Sequence, residues 1–453
     1  MKVTRPTRAS KDQSTPDAAP PAARTERTRR RATRSKAQHP AAAKTYESAV
    51  AHGFYLRDAG GLAGKYDNVR RYWEDQITRY ALRDSIASLV ERKRRTLSRI
   101  RVLDLGSGSG QGYEILTSIK RGGGSLAAKE VDVLSSDMLG FYKGVDISPA
   151  MIEQARESYK DVPKVEFVVG DLSEGLGEAK EDEPYDVFFS SYGSLSHLDD
   201  SQMRRLVADV VANSRGPCLF VADLVGRYSV EWPCYWREGE AMRDYSMSYL
   251  YSEDVRARVE PDHFPLRYWS AAEFEAFMES AVDAAGGVIE GRRIRDRSIL
   301  VGRHMDTREY NPHARSIRAA VNSLHEFYQR TDLESLIFDY APELEAPELN
   351  AFFESFQMAW NAVVYAAIDA LDDWSNKDRL REPPPEEYPE PVRVAIRTIR
   401  DVVRHVEWFR MGDPRANIVE PQLGYILRNL EMDFQQGLGA GHGLMAIYAI
   451  RGA

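Results

Sequence analysis

Val102-Leu103-Asp104-Leu105-Gly106-Ser107-Gly108-Ser109-Gly110-Gln111-Gly112 is the stretch from which the fold can be read. A short apolar run, the pattern of a buried strand, enters a turn with glycine at every second position, and an amphipathic segment follows. Glycines there let the chain turn tightly and bring its backbone close to a ligand, beside the N-terminal amides of the next helix. Two nucleotide-binding patterns fail. A phosphate-cradling P-loop ends in Gly-Lys-Ser or Gly-Lys-Thr, and this loop has no lysine. The dinucleotide fingerprint needs a glycine three residues after its second. Counted from Gly106 and Gly108 that position is Gln111, and from Gly108 and Gly110 it is Tyr113. What remains is acid-x-Gly-x-Gly-x-Gly, led by Asp104.

Outward from this turn, short apolar runs alternate with amphipathic segments, the signature of βαβ units and a parallel sheet. Strands are predicted at Val102–Leu105, Phe141–Val145, Val165–Val169, Val187–Ser190 and Cys218–Ala222. Helices are predicted at Gly112–Ile119, Pro149–Tyr159, Asp199–Ala212 and Ala271–Ala285, the last stopped by Gly286-Gly287. Two further strands, Val288–Ile294 and Ser298–Arg303, bring the count to seven. Asp146 closes the second strand, and an acid at a strand's carboxyl end can accept both hydroxyls of a ribose. Asp132 competes with it on spacing alone. Ser148 and Pro149 suit the N-cap and first position of the next helix.

With Gly144-Val145-Asp146-Ile147-Ser148-Pro149-Ala150-Met151 after the second strand and Gly170-Asp171-Leu172 after the third, the chain resembles the class I, Rossmann-like S-adenosylmethionine-dependent methyltransferase family. The resemblance spans about residues 100–305. It implies an α/β fold, a seven-stranded mostly parallel sheet with helices on both faces, and S-adenosyl-L-methionine as cofactor. On this pattern the cofactor-binding residues are Asp104, Gly106, Ser107, Gly108, Gly110, Asp146, Ile147, Met151, Gly170, Asp171, Leu172 and Ser190, with Asp171 facing the adenine amino group. Tyr66 and Tyr72 resemble the aromatic residues that many members fold over the cofactor.

The acceptor side begins after the fourth strand with Ser190-Ser191-Tyr192-Gly193-Ser194-Leu195-Ser196-His197-Leu198. This is similar to the segment ending in His-Leu of several small-molecule N- and O-methyltransferases, including glycine N-methyltransferase-like enzymes. The Asp/Asn-Pro-Pro-Tyr/Phe motif of adenine and DNA amino methyltransferases is missing, as is the paired-glutamate loop of protein arginine methyltransferases. His197 is the candidate general base. The competing and weightier readings are a helix-start histidine bonded to backbone and a contact to the cofactor's carboxylate. Asp223 stands at the carboxyl edge of the fifth strand, as a ligand contact or a turn acid. Residues 226–269 are dense in aromatics and read as a lid, with Tyr192, Tyr228 and Trp232 as substrate contacts, or as packing for the insertion itself. In-line methyl transfer needs no metal, and none is expected.

Four segments follow: a basic tail (1–45), an N-terminal helical segment over the cofactor site (46–100), the methyltransferase domain (101–305, with insertions at 121–139 and 226–269) and a mainly helical region (306–453). The tail carries 12 Lys/Arg against 3 Asp/Glu, a net of +9, so the remainder holds −17 of the overall −8. Poor in large apolar residues, the tail is expected to be disordered. Gly437-Leu438-Gly439-Ala440-Gly441-His442-Gly443 looks nucleotide-like but follows a helix and precedes the apolar run Leu444–Ile450. It reads as a helix stop leading into a final strand or buried segment, with His442 structural. The two cysteines are too few for a disulfide framework, and no apolar stretch is long enough to span a bilayer. The expected protein is cytoplasmic, possesses no membrane segment, acts on a small-molecule acceptor and is compatible with a homo-oligomer. The alternatives are a nucleic-acid or protein methyltransferase using the basic tail, which the acidic remainder disfavours, and a non-catalytic cofactor-binding scaffold.

Overall fold

Five apolar runs become parallel strands: β1 (Ile100–Leu105), β2 (Leu139–Asp146), β3 (Val165–Val169), β4 (Val187–Phe189) and β5 (Pro217–Gly226). They lie in the order β3-β2-β1-β4-β5. The computed structural model describes residues 38–51, 53–55, 67–122, 129–237, 239–250, 257–258, 260–306, 308–315, 317–343 and 346–452. Residues 1–37 of the basic tail and Tyr66 lie outside the described residues, as does the middle of the 121–139 insertion, whereas residues 38–45, expected to be disordered with the rest of the tail, are the first turns of a helix.

Both faces of the sheet are covered, which is why its strands are continuously apolar rather than alternating. Leu103, Leu105, Phe188 and Phe220 pack against α5 (Asp200–Asn213) and α6 (Ala271–Ala284). Their neighbours Val102, Val187, Phe189 and Val221 face the opposite layer, built by α2 (Asp75–Arg95), α3 (Gln111–Thr117) and α4 (Pro149–Ser158). The expected cap of α4 is present: the Ser148 hydroxyl accepts the Met151 N–H, and Pro149 opens the helix.

The seventh strand is not where the sequence pattern put it. Ser298–Arg303 forms no strand; Ile299, Leu300 and Val301 are buried among the C-terminal helices. A short apolar run marks burial without distinguishing a strand from an irregular buried segment. The place is taken by β9 (Gly443–Arg451), which lies antiparallel between β5 and β8 (Val288–Arg297), pairing Val225 with Gly443 and Arg297 with Gly443. Residues between β8 and β9 therefore form an excursion that returns to complete the sheet. It contains α7 (Ile317–Ser323), α8 (Pro347–Asp372), α9 (Glu390–His405) and α10 (Glu420–Phe434), which share a core with Val69, Trp73 and Ile77 of the N-terminal segment. Leu324–Tyr328, within the region expected to be mainly helical, is a turn following α7.

The aromatic insertion folds as a hairpin, β6 (Met242–Ser246) with β7 (His263–Trp269), and β7 pairs with the last two residues of β5. A helix α1 (Gln38–Ala51) lies against α4 and β7. No described helix is long and apolar enough to cross a membrane.

Candidate active site

In an open parallel sheet, ligands bind beyond the carboxyl ends of the strands. A cavity lies there, and the strand-end residues form its floor. From the β1 turn come Gly106, Ser107 and Gly108; from the end of β2, Asp146 and Ile147, with Met151 of α4; from beyond β3, Gly170, Asp171 and Leu172. The segment after β4 adds Ser191, Tyr192, Gly193, Ser194 and His197. These expected residues are thus brought together.

The glycine turn is shaped by its own geometry. Gly106 has φ +75°, and a Cβ there would stand 2.5 Å from that of Ser194, so any side chain would collide with the acceptor-side segment. Gly108, at φ +51°, donates its N–H to Asp146 Oδ2 at 2.9 Å, while Ser148 N–H donates to Oδ1 at 2.9 Å. Two amides thereby orient the Asp146 carboxylate at the cavity rim. The Ser107 hydroxyl and the Gln111 amide nitrogen, both buried in the cavity wall, have no partner among the described residues. A polar ligand that brings its own donors and acceptors fits such a floor, since buried polar groups are otherwise costly to leave unmet. Asp171 caps a short 3-10 turn by accepting the Ser173 N–H at 2.9 Å.

Several expected contacts lie elsewhere. Asp104 is buried beneath the turn and accepts the Tyr142 hydroxyl. Gly110, at φ +89°, faces Tyr159 and Phe167 rather than the cavity. Ser190 is buried within the sheet, its N–H on Val221 O. Asp223 is fully buried, ion-paired with Arg297 at 2.6 Å and accepting the Tyr192 N–H at 2.8 Å, so it acts behind Tyr192. Tyr228 packs on the C-terminal helical core, and Trp232, fully buried, donates to Gly226 O and packs on Tyr268 and His442. Those two aromatics hold the insertion in place. Tyr72 stacks on His325 at 4.5 Å, because its helical face points toward the C-terminal excursion. Asp132, the rival of Asp146, is paired with Lys120 away from the cavity.

Part of the roof comes from residues that local patterning does not single out, Tyr46 of α1, Phe54 and Tyr55, and part from Tyr245 and Tyr249 of the aromatic 226–269 insertion. The Tyr46 hydroxyl meets His197 Nε2 at 3.0 Å, and Gln154 holds Tyr55 O at 3.1 Å. Burial raises the pKa of Tyr46, Tyr55, Tyr245 and Tyr249, so these phenols stay neutral. Behind them, Arg70 donates to Tyr192 Oη at 2.7 Å and to Asp75 at 3.2 Å. Burial opposes ionisation of Glu74, but Arg318, Arg297 and Arg303 outweigh it and hold the carboxyl well below its usual range. Arg318, reaching in from α7, contacts Glu74 at 2.9 Å and Asp67 at 2.7 Å, which ties the helical excursion to the cavity wall.

His442 and Gly443 also line the cavity. His442 Nδ1 is hydrogen-bonded to the buried Glu231 carboxylate, whose other oxygen takes the His304 N–H. Burial would raise the Glu231 pKa, yet His442, through its charge and its hydrogen bond, prevails together with His304 and lowers it. The glycine-rich turn ahead of His442 does cradle a carboxyl group, but the chain's own: Asp296 accepts the N–H groups of Leu438, Gly439 and Ala440 at 2.8–2.9 Å.

Among curated proteins, none matches the chain. A putative methyltransferase solved with the Trm112 activator from Haloferax volcanii is 19% identical over 44% of this chain and 66% of its own, with a TM-score of 0.27. The CcbJ methyltransferase from Streptomyces caelestis is 18% identical over 43% of this chain and 74% of its own, TM-score 0.28. An S-adenosylmethionine-dependent methyltransferase from Clostridium acetobutylicum is 14% identical over 46% and 82%, TM-score 0.30. The model of a family described as a methyltransferase domain matches residues 122–214, which run from the insertion after α3 to the end of α5. The chain carries a class I S-adenosylmethionine-dependent methyltransferase domain.

Proposed function

We propose that the protein transfers a methyl group from S-adenosylmethionine to a nitrogen or oxygen of a small organic molecule. One observation carries this reading: a single cavity joins the Asp146 and Asp171 end to Tyr192, His197 and His442 under an aromatic roof. An acceptor must fit beneath that roof, which suits a compact organic molecule.

When bound, S-adenosylmethionine supplies an electrophilic methyl group on a sulfonium. Asp146 would accept the ribose hydroxyls, Asp171 the adenine amino group, and Ile147, Met151 and Leu172 would flank the base. Ser107 and Gln111 supply polar atoms that lack a partner among the described residues. Tyr46, Phe54, Tyr55, Tyr245 and Tyr249 exclude water, which would otherwise compete as acceptor. His442 takes the acceptor's proton: with Nδ1–H held by ionised Glu231, its Nε2 is the basic nitrogen. His197 has Nε2 engaged by Tyr46, and its role is to latch α1 across the cavity. Tyr192, fixed by Arg70, Asp75 and Asp223, borders the acceptor.

Calorimetric titration with S-adenosylmethionine and S-adenosylhomocysteine tests the cofactor. Transfer of labelled methyl from the cofactor into fractions of cell extract then tests the acceptor. Label in the small-molecule fraction is the expected result; label confined to protein or nucleic acid would refute the acceptor class.

A further inference from the structure

Among the described residues, four arginines stand at or beside the acceptor half of the cavity, and three are neutralised. Arg70 pairs with Asp75 at 3.2 Å, Arg297 with Asp223 at 2.6 Å, and Arg318 with Asp67 and Glu74. Arg303 differs. It lines the cavity and is half-buried, and no carboxylate among the described residues lies within ion-pair distance of it. Glu74 feels its charge, but the Glu74 oxygens face Arg318, Ser298 and Arg297. The phenols around it are neutral and bring no counter-charge.

What holds Arg303 is aromatic. Its guanidinium carbon is 5.0 Å from the Tyr249 ring centre and 6.0 Å from that of Phe54. Contact with a ring face stabilises the cation and occupies its flat side, leaving the N–H edge for another partner. That edge is a planar fork matched to a carboxylate. A half-buried cation is a ready partner for an incoming anion, which pairs with it in a medium less polar than water.

We infer that Arg303 is a carboxylate-binding residue of the cavity, meeting an acid that arrives with a ligand. This rests on the proposed cofactor cavity. The acid has two possible sources, the amino-acid end of the cofactor or an acidic acceptor, and binding measurements separate them without knowledge of the acceptor.

Wild type, Arg303→Met and Arg303→Lys are titrated with S-adenosylhomocysteine and with 5′-methylthioadenosine, which keeps the nucleoside but has no carboxylate. The protein saturated with S-adenosylhomocysteine is then titrated with simple mono- and dicarboxylates. Methylthioadenosine binding also reports that each variant is folded. If the cofactor supplies the acid, Arg303→Met weakens S-adenosylhomocysteine about ten- to a hundredfold and leaves methylthioadenosine unchanged, as expected for a charged hydrogen-bonded pair. If the acceptor supplies it, S-adenosylhomocysteine binding is unaffected, while saturable carboxylate binding to the loaded wild type disappears in Arg303→Met. In either case Arg303→Lys is intermediate, because it keeps the charge and loses the fork. Arg303→Met matching wild type in both titrations overturns the inference and leaves the cofactor reading standing. Wild type that binds no S-adenosylhomocysteine overturns both.

Discussion

Replacing Asp146 with Asn separates a ligand-binding carboxylate from one that only shapes a loop. Both of its oxygens are oriented by amides, Gly108 N–H and Ser148 N–H, each at 2.9 Å. A carboxylate offers about four acceptor sites, more than the two that these amides take. The amide keeps one acceptor oxygen, turns a donor toward one of the two N–H groups, and loses the charge. Each hydroxyl bond to an ionised group contributes about 1.5–3 kcal/mol, so losing one and weakening the other costs about 2–4 kcal/mol. In the dissociation constant for S-adenosylhomocysteine this is about 30- to 1,000-fold. The assay is isothermal titration calorimetry, with thermal unfolding as the control for fold. Asp132→Asn, at the exposed pair with Lys120, is the matched control and should bind like wild type. A folded Asp146→Asn protein whose affinity stays within about threefold of wild type would refute the reasoning, since so small a change is less than one neutral hydrogen bond.

Three further outcomes are expected. Burial raises the Glu431 pKa to about 7, against an ordinary 4.5. The folded state therefore retains a proton between these values, and stability present below pH 4.5 is lost as pH rises toward 7, by about 3 kcal/mol. Glu431→Gln keeps an acceptor for the Ile299 N–H and should stabilise the protein at pH 8 but scarcely at pH 4.5 in urea unfolding; an equal effect at both would show that Glu431 is ionised when folded. Burial lowers His304 to about 3, which has the opposite sign: stability present above pH 6.5 is lost as pH falls toward 3, by about 2 kcal/mol already at pH 5. His304→Gln should flatten that acid limb, and an unchanged slope between pH 6.5 and 5 would assign it to other groups. Tyr46→Phe removes the hydroxyl on His197 and should speed release of S-adenosylhomocysteine about three- to tenfold in stopped-flow fluorescence, as the loss of one neutral hydrogen bond predicts. Unchanged release would mean that α1 does not hold the ligand in.

The parts of the site that are legible in the sequence are those built by contiguous residues. The turn Gly106–Gly108, the acid Asp146 two residues before its helix cap, and Asp171 after β3 each depend on a strand ending and a helix beginning within a few positions, and periodicity reports such boundaries. The rest depends on pairs far apart in sequence. Tyr46 and His197 are 151 positions apart, Glu231 and His442 are 211, and Arg318 and Glu74 are 244. No local pattern can connect them. Tyr72 illustrates the opposite error, an aromatic in a plausible place whose helical face turns away from the cavity.

His442 was the residue most open to deduction. Its turn lacks the strand-before, helix-after order of a phosphate loop, and its amides do serve an internal acid, Asp296. The consequence lies in the apolar run that follows. A strand added antiparallel to a parallel sheet starts at the edge where its neighbours end, which is also the ligand edge. Gly443 pairs with Val225 near the carboxyl end of β5, so whatever directly precedes β9 must arrive at the cavity. Had the run Leu444–Ile450 been placed in the sheet in preference to Ser298–Arg303, His442 would have followed as a site residue from topology alone. Arg303 follows by the same logic from the other side, since the chain leaving β8 at Arg297 also starts from the ligand edge. The two segments that looked least like a binding motif thus bring His442 and Arg303 to the cavity, because strand direction, rather than motif, decides which residues reach it.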